Sequence, residues 1–175
     1  MKIALTGHTN IERHYNKAYV GSDYDTEAYE KAYDEILNKL KRVCAEKDIK
    51  FNELILISGM ARGADEIFAH IAMDNNLKLI LSIPHSVNWH KERVYKKDLN
   101  IKIQAIDYEK ILAYENILEI VEVIDNNAKN NYDHFMKRNQ NMVDLADYVI
   151  SYKKYESIGT NDCIHRAKEV NKYLF

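Results

Sequence analysis

Apolar residues in this chain follow two rhythms. Short unbroken runs read as buried strands: KIALT at 2–6, ELILI at 53–57, LKLILSI at 77–83, ILEIVEV at 117–123 and DYVISY at 147–152. Between them apolar residues recur at three- and four-residue spacing. Thr26 reads as an N-cap, and Ala28, Tyr29, Ala32, Tyr33, Ile36, Leu37, Leu40, Val43 and Cys44 then share one face. That spacing predicts an amphipathic helix of about five turns. A second helix is predicted from Gly63 to Asp74, closed by Asn75-Asn76. Further helices are expected over 99–114, 132–145 and Asn161 to Tyr173.

The intervening stretches have no such rhythm. Residues 8–25 read as a long loop, and long ordered loops are often functional. Pro84 stops the third strand, 85–98 are polar around the one tryptophan, Trp89, and 125–131 form a polar turn. Strands alternating with helices require crossover connections, so the expectation is an α/β protein with a mostly parallel sheet of about five strands. Unbroken apolar strands agree, because parallel strands are covered on both faces. No internal repeat or low-complexity linker divides the chain, and a single domain over 1–175 is expected.

Composition narrows the function classes. Of 175 residues, 46% are hydrophobic and 30% charged, a globular balance. The net charge of −2 provides no broad basic field and argues against a nucleic-acid partner. Cys44 and Cys163 lie far apart, without zinc spacing, and read as reduced thiols. The start, MKIALTGH, is too short an apolar run for a signal peptide, and no apolar stretch is long enough to span a membrane. A cytoplasmic protein without a membrane partner is expected. The seven histidines are scattered, and His85 and His90, five apart, do not match helical ligand spacing. A resident metal is not expected, although a phosphate ligand could bring Mg²⁺.

In an open parallel sheet, ligands bind beyond the carboxyl ends of the strands. Three segments end strands there with suitable chemistry: Thr6-Gly7-His8, Ser58 to Asp65, and Ser151 to Asn161. In the second, Gly59 and Gly63 permit close backbone approach. The following helix N-terminus offers unpaired N–H donors to a phosphate. Arg62 adds a forked cationic donor, and Asp65 caps the helix or holds the turn. In FMKRNQNMVDLADYVIS, 135–151, the apolar residues suit a packed helix face, with Arg138, Asn139 and Asp144 as its polar members. Gly159-Thr160-Asn161 reads as a turn before the last helix: a second phosphate or ribose cradle, or a plain turn with Asn161 as N-cap.

Taken in order, LTGH at 5–8, SGMARGADEIFA at 58–69, Ile83-Pro84 followed by Trp89, MKRNQNMVDLADYVIS at 136–151 and Gly159-Thr160 resemble the YpsA-like branch of the SLOG superfamily. That superfamily includes the DNA-processing protein DprA and the LOG phosphoribohydrolases. The resemblance implies a Rossmann-like three-layer sandwich that binds a nucleotide or nucleotide derivative. It carries over Gly59, Arg62, Gly63 and Asp65 as the phosphate loop, with Arg138 and Asn139, and Gly159 and Thr160; the strand-end neighbours Gly7, His8, Ser58, Met60, Ala61 and Asn161 complete the expected ligand-binding set. It also implies a homodimer or higher homo-oligomer. Arg138 matches the arginine of the LOG enzymes, but their glutamate position falls on Cys163, with Asp162 beside it, and Ile158 replaces the first glycine of a Gly-Gly-Thr turn. Two functions are therefore expected in order. The first is a non-catalytic module that senses or sequesters a nucleotide, ADP-ribose or cyclic-nucleotide signal, with Trp89 or a tyrosine of 8–25 stacking on the base. The second is an N-glycosidic hydrolase using Asp162, Asp65 or Glu66 as a substitute carboxylate.

Overall fold

The computed structural model describes residues 1–9, 11, 26–96 and 105–175. Most of the 8–25 segment and residues 97–104 therefore lie outside the described residues. Five strands pair in parallel: β1 (Lys2–Gly7), β2 (Ile55–Ser58), β3 (Lys78–Pro84), β4 (Ile117–Val123) and β5 (Tyr148–Tyr152). Their order is β4-β3-β2-β1-β5. The connecting helices are α1 (Thr26–Lys47), α2 (Ala64–Asp74), α3 (Val87–Lys96), α4 (Ala105–Leu112), α5 (Asn131–Leu145) and α6 (Ile158–Glu169). The parallel α/β sandwich expected from the two rhythms is the observed architecture.

Alternation along each strand divides the core in two. Ile3, Leu5, Leu56, Leu79 and Leu81 pack under α1, α2 and α4, with Ile36, Leu40, Ile67 and Phe68 from the first two helices. Ala4, Ile57, Ile80 and Val149 face the other way, against Met142, Val143 and Ala146 of α5 and its C-cap and Cys163 and Ala167 of α6. The order places β1 between β2 and β5. The chain winds outward through β2, β3 and β4, then returns to the other side of β1. Connections diverge at the carboxyl ends of β1 and β5, and such switch points open a crevice for ligands.

Four segments depart from the sequence expectation. Residues 85–98, whose polar run carries no apolar period, contain α3. Its first turn is held by Glu122, whose Oε1 accepts from Val87 N–H at 2.7 Å, and by Ser86, whose Oγ accepts from Trp89 N–H at 3.2 Å. Strand β2 begins only at Ile55, because Phe51–Glu53 form a 3-10 turn. Helix α6 begins at Ile158, with Ser157 as N-cap, so Gly159-Thr160-Asn161 form its first turn and not a loop before it. The Asn161 N–H already bonds the Ser157 carbonyl at 2.8 Å. The same helix stops at Glu169. Asn171 turns left-handed at φ 56°, and Lys172 to Phe175 run beside β5, donating Leu174 N–H to Val149 O at 3.0 Å. This tail occupies the free hydrogen bonds of an edge strand. Strand β4, at the other edge, is not covered on both faces: Leu118 and Ile120 are 52% and 40% exposed.

Phe68 of α2 is fully buried in the core on the α1–α2 face of the sheet. Phe68→Ala should cost about 3–5 kcal/mol of unfolding free energy, read as a lower midpoint in urea denaturation at unchanged slope.

Candidate functional site

At the switch point the β2–α2 connection is folded onto itself. Ser58 Oγ donates to the Asp65 carbonyl at 2.7 Å and accepts from Met60 N–H at 3.1 Å. Met60 is left-handed at φ 54° and only 4% exposed. Asp65 Oδ2 accepts from Ala61 N–H at 3.4 Å, so Asp65 holds the turn from inside the helix, and the N-cap is Gly63. Gly63 has φ 83°, and a Cβ there would lie 2.4 Å from the His8 carbonyl oxygen. That carbonyl accepts the Ala64 N–H at 3.0 Å.

Asp65 also receives Arg138 from α5, with Nη1 3.0 Å from Oδ2. Both side chains are sealed, at 8% exposed for Arg138 and 6% for Asp65. Burial raises the Asp65 carboxyl above its ordinary range, against the downward pull of the Arg138 guanidinium. Gly59 makes room for this pair, since a Cβ there would fall 1.4 Å from Arg138 Nη1. Arg138 Nε is buried without a hydrogen-bond partner. Behind α5, fully buried His90 shares a 3.0 Å hydrogen bond between Nδ1 and Tyr108 Oη. Burial, and then the charge of Arg138, pushes the His90 pKa down from 6.5 to about 3.

A cavity of about 230 Å³ opens here. Leu5, Thr6 and Gly7 form its floor, and Ala61 and Asp65 one flank. Tyr132, Phe135, Met136, Arg138, Asn139 and Met142 of α5 form the opposite wall, and Ser157, Gly159 and Thr160 the start of α6. The first turn of a helix has N–H groups without intrahelical partners, so this wall presents donors and a partial positive charge. Thr160 Oγ1 donates to the Gly7 carbonyl at 3.1 Å, and Asn139 Nδ2 donates to the Gly159 carbonyl and to Asp162 Oδ2, each at 3.1 Å. These bonds pin α6 to β1 and α5. A Cβ at Gly159 would meet nothing within 4 Å.

The cavity gathers Gly7, Ala61, Asp65, Arg138, Asn139, Gly159 and Thr160 from the sequence-derived set. His8, Ser58, Gly59, Met60, Arg62, Gly63 and Asn161 do not line it. Ser58, Met60 and Gly63 shape the turn, Gly59 accommodates Arg138, and Asn161 Nδ2 donates outward to Glu156 at 2.6 Å. Gly59 and Gly63 thus permit close approach, but of Arg138 and of the His8–Thr9 backbone. Trp89 packs against His85 and His134, with ring centroids 5.2 Å away in each case, and does not line the cavity. Tyr132 and Phe135 escaped sequence reasoning, whereas Ser157 lies within the Ser151–Asn161 segment named there. The signal for the first two was their helical phase with Met136 and Asn139 on α5.

Of the three substitute carboxylates, Asp65 alone lines the cavity. Asp162 is engaged by Asn139 and by Arg166 Nε at 2.8 Å. Cys163 is fully buried, and burial pushes its thiol up to about 11. Among the described residues no group of three His, Cys, Asp or Glu could hold a metal ion, and no helix is long and apolar enough to cross a membrane.

A Rossmann-like sheet with a ligand-sized crevice at its switch point defines the class. The sequence model of the family described as DNA recombination-mediator protein A matches residues 2–175, and the chain belongs to that family, within the SLOG superfamily. No curated protein matches the chain. Among solved structures, it is similar to DNA processing protein A (DprA) from Streptococcus pneumoniae, with a TM-score of 0.59 and 18% identity over 98% of this chain and 48% of that one. It is also similar to TM1055, with a TM-score of 0.52 and 16% identity over 98% of this chain and 70% of that one. The chain spans about half the length of the Streptococcus pneumoniae protein. At these identities the likeness is one of fold. Membership in a family named for DNA recombination gives no support to the charge-based expectation against nucleic acid.

Two consequences are measurable. Arg138→Leu leaves the Asp65 carboxylate buried without its partner and should cost about 3–5 kcal/mol in urea denaturation. His90 titrates at its ordinary value when unfolded and at about 3 when folded. Its contribution is complete above 6.5 and is lost as pH falls across that window, because only the unfolded chain takes up the proton. Stability should therefore drop by up to about 1.4 kcal/mol per pH unit from this group, and His90→Gln should flatten that slope.

Proposed function

We propose that this chain is a non-catalytic binding module of the YpsA-like type, which senses or sequesters a nucleotide or an ADP-ribose- or cyclic-nucleotide-type signal at the carboxyl edge of its sheet. The observation that carries this reading is the wall of the cavity. A buried arginine with an unpartnered Nε and the N-terminus of a twelve-residue helix line one space. Together they suit an anion. On the same wall, Tyr132, Phe135, Met136 and Met142 offer the apolar surface that a planar base requires. Mg²⁺ would accompany the phosphate only as part of the ligand, and self-association into a dimer or higher oligomer belongs to the same reading.

The absence of catalysis is supported by Cys163, an inert thiol where hydrolytic relatives would need a carboxylate. A second reading, hydrolysis of an N-glycosidic bond, is favoured by one observation: Asp65 lines the cavity, and burial raises its carboxyl as a general acid requires.

Excess protein mixed with a panel of nucleotides, NAD, ADP-ribose and cyclic nucleotides, then filtered and denatured, should release one intact compound identified by mass spectrometry. Release of a free base with a sugar phosphate would instead establish the hydrolase. Gly159→Ala, which meets no steric obstacle in the fold, should keep the melting temperature and lower retention roughly tenfold by crowding the ligand. Equal retention would remove the α6 N-terminus from the site.

A further inference from the structure

His8 stands outside the cavity yet touches both connections that frame it. It is 1% exposed. Its Nε2 accepts hydrogen bonds from Lys154 N–H at 2.7 Å and Tyr155 N–H at 3.0 Å. Its ring lies flat on the Tyr155 ring, with centroids 3.6 Å apart and planes 7° from parallel. Its own carbonyl accepts the Ala64 N–H that begins α2. One residue at the end of β1 thus holds the entry to α2 through its backbone and the entry to α6 through its ring.

The ring contact has a defined chemistry. A nitrogen that accepts hydrogen bonds carries no proton, so the neutral imidazole keeps its hydrogen on Nδ1. The segment it holds, Lys153 to Ser157, contains no strand or helical residue of its own. Two residues beyond Tyr155 stands Ser157, the N-cap of α6 and part of the cavity wall. Where the imidazole places the two amides, the first turn of α6 must follow.

We propose that His8 is a positioning residue for the ligand site. Its Nε2 anchors the β5–α6 connection so that the N-terminal donors of α6 face the cavity, and the ring itself makes no ligand contact. The consequence for the ligand rests on the nucleotide reading above; the anchoring of the connection does not.

The test compares wild type with His8→Phe, which keeps a flat ring without an acceptor, and His8→Gln, whose Oε1 replaces the acceptor without a ring. Amide hydrogen exchange of Lys154 and Tyr155 is followed by NMR, and AMP affinity by calorimetry. In His8→Phe both amides should exchange roughly tenfold faster and AMP should bind roughly tenfold more weakly. His8→Gln should recover most of both. Unchanged exchange in His8→Phe overturns the anchoring, and unchanged AMP affinity with faster exchange overturns the positioning role. The ring-nitrogen shifts of wild-type His8 need no variant: a proton on Nε2 overturns the assignment, and one on Nδ1 supports it. If wild type does not bind AMP while the amides respond as expected, AMP is not the ligand, the anchoring stands, and the affinity comparison is made with the compound retained from the nucleotide panel.

Discussion

A charged pair sealed inside the sheet's carboxyl edge organises everything around it. Arg138 and Asp65 come from α5 and α2, on opposite faces of the sheet, and meet at 3.0 Å with almost no exposure. Two ions removed from water are tolerated only when each satisfies the other, so the pair constrains both helices at once. The guanidinium also needs space, and Gly59 supplies it at the turn where β2 ends. The turn, the start of α2 and the middle of α5 are therefore one packed unit. The His90 pKa is held low first by its own burial and then by the same buried positive charge.

Around this unit the strand order opens the crevice. Because β1 lies between β2 and β5, the connections leaving β1 and β5 part toward opposite faces. The cavity occupies the gap, and three small hydrogen-bonded links set its width: Thr160 to Gly7, Asn139 to Gly159 and His8 to the β5–α6 connection. Each joins backbone from one element to a side chain of another. These links tie the donor wall to the strand and helix beneath it, which suits a site that must present fixed dipoles to an anion.

The glycines show how the same residue type serves unlike ends. Gly59 yields to a side chain, Gly63 to a crossing backbone with a left-handed φ, and Gly159 to nothing within the fold. Only the last leaves its freedom for a ligand. A glycine-rich strand-to-helix turn looked, in sequence, like a phosphate loop with Arg62 as its cation. In the fold, Ser58, Met60 and Asp65 bond within that turn, Ala61 faces the cavity, and Arg138 joins it there from α5.

The strands and most helices were legible because their signals are local. Unbroken apolar runs mark parallel strands, and three- and four-residue spacing marks the buried faces of α1, α2 and α5. Helix α3 escaped because its polar run has no such period and its first turn depends on Glu122, a residue of β4. The start of α6 was misplaced because Gly159-Thr160-Asn161 has turn composition, whereas the extended backbone of Ser157 begins the helix earlier. Its end was misplaced because pairing of the tail with β5 competes with further helix. By itself the sequence determined the α/β order, the family motifs and the chemical kinds of residue at the sheet's edge. Tertiary structure alone decided which of them share a cavity. Asp65, Arg138 and Gly159 meet there through contacts between residues far apart in the chain, and no local period encodes such contacts.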